Sequence, residues 1–302
     1  MKKAISPQKA ANDISLILTT VFGKERFPVD IKAVAREISQ QKFADDPITM
    51  IRGADLSNFE GALAPAPPGK KGWGIIYNNS IRSKGRINFT LAHEFFHYLG
   101  HRLEHPQGFQ CTSEDMANWN SEYGKLEQEA NTFAANLLMP LDDFRNQINA
   151  SSRPNLHEIG ACADRNEASL IAATLRWLQY TTKRSMLVVS TEGYILWARS
   201  SKPALKSGLY LKTRGEPPIE LPRKSLAQNR STIIGNTGIV EHENQIWLNE
   251  ACQEQVLFSD RYDVVVTLLH FDDKAVLSES EEEQEDTYDR IINRLPGQSW
   301  LG

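Results

Sequence analysis

Residues 93–97 read His-Glu-Phe-Phe-His. On a helix, His93 and His97 stand at i and i+4, on one face and about a turn apart. Their imidazoles can converge on a single Zn²⁺ at about 2.0–2.1 Å. Glu94 follows the first histidine and can reach a water on that ion without displacing it. Zinc lowers the pKa of such a water. The carboxylate can then take its proton during attack on a peptide carbonyl and pass it to the leaving amine. A chance match on an amphipathic helix is the bland alternative. The setting weakens it, since Phe89, Leu91 and Ala92 lead into the motif and Phe96 and Leu99 supply a core-facing side.

A catalytic zinc site needs a third protein ligand. A histidine six residues beyond His97 would serve, with a glycine at 100; Gly100 is present, but position 103 is Leu103. His101 lies one turn past His97 and reads as a neighbour of the site or a surface residue rather than a ligand. The remaining source is a glutamate from a later helix. In 125–140 the apolar stripe is Leu126, Ala130, Phe133, Ala134 and Leu137. Glu127 and Glu129 flank that stripe about 200° apart around the helix, so they cannot both serve one metal. Asn131 stands four residues after Glu127, where it can bond the far nitrogen of a ligating histidine. That favours Glu127, with Glu129 as the alternative. Two histidines and a glutamate suit Zn²⁺, and Mn²⁺ or Fe²⁺ can use the same donors.

The elements that must position these groups follow from periodicity and punctuation. Two helices are expected in residues 1–40, the first with Ile14, Leu18 and Val21 on one face and the second capped by Asp30. Lys2 and Lys3 ahead of this apolar segment resemble a signal peptide, but the polar stretch 6–13 and the missing cleavage site favour a helix. Strands are expected at 59–64 and 73–77. The second of these reads as a sheet edge to which an extended substrate could add, with a core strand as the alternative. The metal helix is expected from about Thr90 to His101, a loop over 102–121, and a helix over 122–139 stopped by Pro140. Further helices are expected at 142–149, 155–163 and 167–179. From 185 onward short β-rich runs follow, at 186–189, 194–198, 208–212, 232–234, 245–248 and 262–269, with Gly193 marking a hairpin. Residues 279–289 hold seven acids, and Ile291, Ile292 and Leu295 suggest a short closing helix.

The stretch from Arg86 through His101, Arg-Ile-Asn-Phe-Thr-Leu-Ala-His-Glu-Phe-Phe-His-Tyr-Leu-Gly-His, is followed by Glu127-Gln-Glu-Ala-Asn-Thr-Phe-Ala-Ala-Asn-Leu-Leu-Met-Pro140. Together, and in this order, they resemble the ImmA/IrrE-type metallopeptidase family over about residues 10–150. The resemblance implies a gluzincin-like zincin domain, with zinc on His93, His97 and Glu127 and with Glu94 as base. It also implies a typical substrate, a helix-turn-helix repressor whose cleavage releases stress-response or mobile-element genes. Phe95-Phe96 departs from the family's usual small or glycine-containing pair, which is expected to narrow the site. A weaker resemblance to longer IrrE-like members continues past 150, implying a helix-turn-helix-like segment and, by analogy, a GAF-like sensor. The fold class expected is α+β: a metallopeptidase domain over 1–150, a helical segment over 151–182, and a β-rich sensor or docking domain over 183–302.

Composition sets the limits on this reading. The chain has 302 residues, a net charge of −4 and 40% apolar residues. That excludes a general nucleic-acid coat and a membrane bundle. Cys111, Cys162 and Cys252 are isolated and form no C-x-x-C, which points to a reduced, cytoplasmic setting and away from a disulfide scaffold. Residues 183–230 carry a local balance of +7. An acidic partner or DNA could use that charge; solvated loops or pairing with the acidic run are the plainer reading. Arg165 and Arg176 are too few for a DNA reader. The partner expected is therefore a protein substrate, with no membrane.

Overall fold

A computed structural model describes residues 5–56, 59–112, 122–213, 216–259 and 263–273. The acidic run 279–289 and the closing helix lie outside the described residues. The chain is mixed α+β, with a helix-and-strand region first and a separate β-rich region after it. Among the described residues one compact unit takes in everything up to Leu141 with the short segment Asp164–Ser169. The other takes in Asp142–Ala163 and the chain from Leu170 on.

The first unit opens with α1 (Pro7–Phe22), capped by Ser6, and α2 (Ile31–Lys42), whose first turn donates Ala33 N–H to Asp30. Ile14 is buried and Leu18 packs on the core, but Val21, expected beside them, is exposed. The strands β1 (Ile48–Ala54), β2 (Phe59–Pro65), β3 (Trp73–Asn78) and β4 (Phe109–Thr112) form one sheet in the order β1-β3-β2-β4. β1 runs parallel to β3, while β2 is antiparallel to both β3 and β4. Residues 73–77 are thus an inner strand and not the edge; among the described residues the edges are β1 and β4. Gly108 precedes β4 at φ +90°, and a Cβ there would fall 2.2 Å from the Leu63 carbonyl oxygen, so only glycine lets this strand dock.

The metal helix α3 (Lys84–Phe96) begins six residues before the expected start, because Ser83 caps it by accepting from Arg86 N–H. A π-helical turn, His97–His101, extends it. Against it lies α4 (Glu122–Leu138), which ends before Pro140. Phe95 and Phe96 are both fully buried, and each meets Phe133 of α4, with ring centroids 5.8 and 5.0 Å apart. The pair therefore fills the core between the helices rather than narrowing the mouth of the site. The core continues through Leu63, Ile75, Leu91, Ala130, Ala134 and Leu137.

The second unit holds α5 (Leu141–Gln147, from its second residue), most of α6 (Leu156–Arg165), α7 (Leu170–Leu178) and a six-stranded antiparallel sheet. The strands are β5 (Ser185–Thr191), β6 (Tyr194–Ser200), β7 (Ile219–Glu220), β8 (Thr237–His242), β9 (Cys252–Ser259) and β10 (Val264–Phe271), in the order β7-β6-β5-β10-β9-β8. The β5–β6 turn places Glu192 at φ 49° and Gly193 at φ 83°, as a two-residue hairpin demands. Residues 208–212, 232–234 and 245–248 are not strands. Leu209, Leu211, Ile233 and Trp247 instead pack as irregular chain onto one face of the sheet. A short helix, α8 (Lys202–Lys206), precedes them.

Of the seven excess positive charges, Glu250 and Asp273 offset two within this unit, and Glu216 is already counted in the +7. Arg184 reaches both oxygens of Glu250 at 2.8 Å, Lys183 meets Asp273 at 2.6 Å, and Lys212 meets Glu216 at 2.6 Å. Among the described residues no helix is long and apolar enough to cross a membrane.

His270 of β10 ties the sheet to the segment before α6. Its Nε2–H donates to the Pro154 carbonyl at 3.0 Å, and its Nδ1 accepts from Ser185 Oγ at 2.9 Å. Burial pushes its pKa down to about 4. The unfolded chain then binds the proton more readily, so stability is complete above about pH 6.5 and declines as pH falls toward 4. Urea unfolding at pH 7 and pH 4 should show wild type losing roughly 3 kcal/mol more than His270→Gln over that interval. Equal losses would show that His270 is not the group responsible.

Candidate metal centre

α3 and α4 bring three side chains to one point. The Nε2 atoms of His93 and His97 lie 2.9 Å apart. Glu127 Oε2 stands 3.1 Å from His93 Nε2, and Glu127 Oε1 stands 3.2 Å from His97 Nε2. Three ligands on a tetrahedral zinc with bonds near 2.05 Å are separated by about 3.3 Å, so the triangle has the size such an ion requires. All three side chains are buried, and the donor set is two imidazole nitrogens and a carboxylate. This cluster can coordinate a divalent metal ion, and its chemistry fits zinc.

Hydrogen bonds fix which nitrogen of each ring faces the centre. His93 Nδ1 lies 3.0 Å from Asn131 Oδ1, an acceptor, so Nδ1 carries the proton and Nε2 keeps its lone pair. His97 is held by a longer chain. Its Nδ1 meets His101 Nδ1 at 3.0 Å, and His101 Nε2 meets Glu129 Oε2 at 3.1 Å. With Nε2–H of His101 donating to the carboxylate, His101 Nδ1 accepts from His97 Nδ1–H. His97 Nε2 is again left to the metal. The ring of Phe109, on β4, stacks on His97 at 4.2 Å.

Electrostatics at the cluster favour a cation. Burial works against charge on His93, yet the Glu127 carboxylate outweighs it and raises the pKa to about 9. Burial pushes His97 down to about 4. Burial also opposes charge on Glu127, but the positive charge drawn to His93 holds its carboxyl well below the usual range. The pull that Glu127 exerts on a proton here is the pull it would exert on a metal ion.

Each residue singled out by the sequence has a definite place. His93, His97 and Glu127 converge. Asn131 touches His93, His101 touches His97, and Glu129 bonds His101 rather than entering the cluster. Glu94 is fully buried on α3. Tyr98 points away, its hydroxyl donating to the Asp46 carbonyl at 2.7 Å. Phe109 was not foreseen: it lies in a stretch read as loop, and one aromatic residue among polar ones gives no periodic signal.

The geometry defines a metal-binding site of hydrolytic type. Residues 44–178 match the model of the IrrE N-terminal-like domain, a peptidase family. An IrrE/ImmA-like domain thus covers that part of the chain, and the His93/His97/Glu127 triad inside it supports a zinc-dependent metalloendopeptidase active site. No curated protein matches the chain.

Substitutions separate the two glutamates. Glu127→Ala should abolish one-to-one zinc binding in a chelator competition titration. Glu129→Gln and Asn131→Ala should keep the stoichiometry while weakening affinity by roughly 10- to 100-fold. Loss of zinc in Glu129→Gln but not in Glu127→Ala would reverse the assignment.

Proposed function

We propose that this protein is a zinc endopeptidase that cuts a flexible segment of a protein partner. That partner is a helix-turn-helix transcriptional repressor, and its cleavage releases stress-response or mobile-element genes in the cytoplasm. The observation that carries the reading is the buried convergence of His93, His97 and Glu127, with Glu94 beside the first ligand. The repressor rests on the resemblance to ImmA/IrrE-type peptidases. Zinc, when bound, supplies Lewis-acid polarisation and a water of lowered pKa; Mn²⁺ or Fe²⁺ would use the same donors.

The chain's own residues do the rest. The Glu94 carboxylate accepts a proton from the attacking water and returns it to the leaving amine. Asn131 and the Glu129–His101 pair keep the two imidazoles oriented. The outer side of β4, an edge strand that carries Phe109 against His97, suits an extended segment that pairs through backbone hydrogen bonds. Such pairing reads little side-chain identity, so selection falls to a docking surface elsewhere. The β-rich second unit suits that docking or sensing role, with a GAF-like fold by analogy. A zincin-like label for the first unit rests on the same resemblance.

The alternatives, a DNA-binding regulator or a toxin–antitoxin interaction module on this scaffold, have less in their favour. In α7, Ala172, Ala173, Thr174, Arg176, Trp177 and Leu178 are buried and the other residues are half-buried. A helix that reads a groove needs an exposed polar face.

The test is co-expression with a helix-turn-helix repressor encoded beside this gene. Wild type should cleave it. Glu94→Gln should bind zinc normally and cleave at least roughly 10²-fold more slowly. A Glu94→Gln variant with undiminished cleavage would remove proteolysis by this mechanism.

A further inference from the structure

Strand β2 and helix α3 meet along one line. Arg86, Thr90 and Glu94 are spaced i, i+4 and i+8, so they form a single stripe on α3. Glu60 of β2 holds the first of them: its Oε2 accepts from Arg86 Nε at 3.0 Å, and its Oε1 accepts from Arg86 Nη2. Gly61 faces the other two. A Cβ at Gly61 would fall 2.4 Å from Thr90 Cγ2, 2.9 Å from Glu94 Oε1 and 3.1 Å from Glu94 Cγ. Gly61 is not among the residues with positive φ, so its backbone does not require glycine. Glycine inside a strand forfeits packing and costs chain entropy, and its usual justification is a close approach. Here the approaching groups are the Thr90 methyl and, next to it, the Glu94 carboxylate.

We infer that Gly61 is a positioning residue for Glu94, its missing side chain leaving the space in which the carboxylate sits. The inference rests on Glu94 being the base. A methyl group at position 61 would meet two side chains of different stiffness. Thr90 is short, β-branched and buried, so its methyl has little room to move. Glu94 is long and flexible at its end, so its carboxylate is what gives way. A displacement of about 1 Å at a reacting group costs roughly 10²-fold in rate. His93 and His97 are held from α4 by Glu127 and Asn131, which the substitution does not touch, so the zinc ligands stay in place.

The experiment compares Gly61→Ala/Thr90→Ser with Thr90→Ser alone in the full chain. Serine at 90 removes the methyl nearest to the new Cβ, and the next nearest atoms are Oε1 and Cγ of Glu94. The double variant should match Thr90→Ser in metal-free thermal unfolding and in zinc affinity by chelator competition. Its kcat on an internally quenched peptide mixture should fall roughly 10²-fold with KM unchanged. An undiminished kcat, or a zinc affinity that falls in step with kcat, would overturn the inference and leave Gly61 a packing residue. Glu94→Gln run alongside separates the two readings. A fully active Glu94→Gln removes the base assignment itself; an inactive one beside an unimpaired double variant removes only the role of Gly61.

Discussion

Everything at the site depends on one buried carboxylate reaching two buried imidazoles. Glu127 on α4 stands 3.1 and 3.2 Å from the Nε2 atoms of His93 and His97 on α3. Taking such groups out of water costs several kcal/mol each unless opposite charge compensates. The surroundings make the cost unavoidable, because Phe95, Phe96, Phe133 and Leu137 are wholly buried around the same helix pair. The helices can approach because Ala130 and Ala134 occupy the α4 stripe between them. A divalent cation at the meeting point offsets that cost for all three side chains, where a proton on His93 offsets it for Glu127 alone.

The parts of this arrangement that were legible in the sequence are local. The i, i+4 pair of histidines and the i, i+4 pair Glu127 and Asn131 each need only one helix to be recognised. So do the caps at Asp30 and the hairpin at Gly193. What escaped depends on distant chain. Residues 73–77 form a short apolar run that fits an edge or an inner strand equally. Only the parallel pairing with β1, itself unforeseen, places them inside. β9 gives no β-rich run in the sequence, because the polar Gln253, Glu254 and Gln255 interrupt it. Yet Glu254 is fully buried, accepting from the N–H groups of Leu226 and Ala227 at 2.9 Å and paired with His242 at 2.5 Å. Residues 208–212, 232–234 and 245–248 misled in the opposite sense, since apolar side chains can cover a sheet without joining its ladder.

The start of α3 shows a third kind of failure. Gly85 in the first turn and the absence of apolar spacing over 84–88 gave no helical signal. The cap at Ser83 decides the boundary, and the segment that docks there explains the glycine. A Cβ at Gly85 would fall 2.4 Å from the Glu167 carbonyl oxygen, while the Glu167 side chain accepts from Asn88 Nδ2 at 3.1 Å and pairs with Lys84 at 3.4 Å. A contact eighty residues away in sequence thus accounts for a glycine that helix propensity disfavours.

α4 also explains why the two zinc histidines are held so differently. Glu127 and Asn131 share a face, so one turn of helix supplies both a ligand and the group that orients His93. Glu129 lies about 200° around from Glu127 and cannot reach the same point. It acts through His101, which the π-helical turn after His97 carries into contact with the ring of His97. Wider turns of this kind recur where a helix must bring a functional side chain out of regular register. Three polar residues of α4 therefore govern both imidazoles, and any rotation or slide of α4 moves the ligand and both orienting groups together. Substitutions at 127, 129 and 131 act on one network rather than on independent contacts, so their effects on metal affinity have no reason to add.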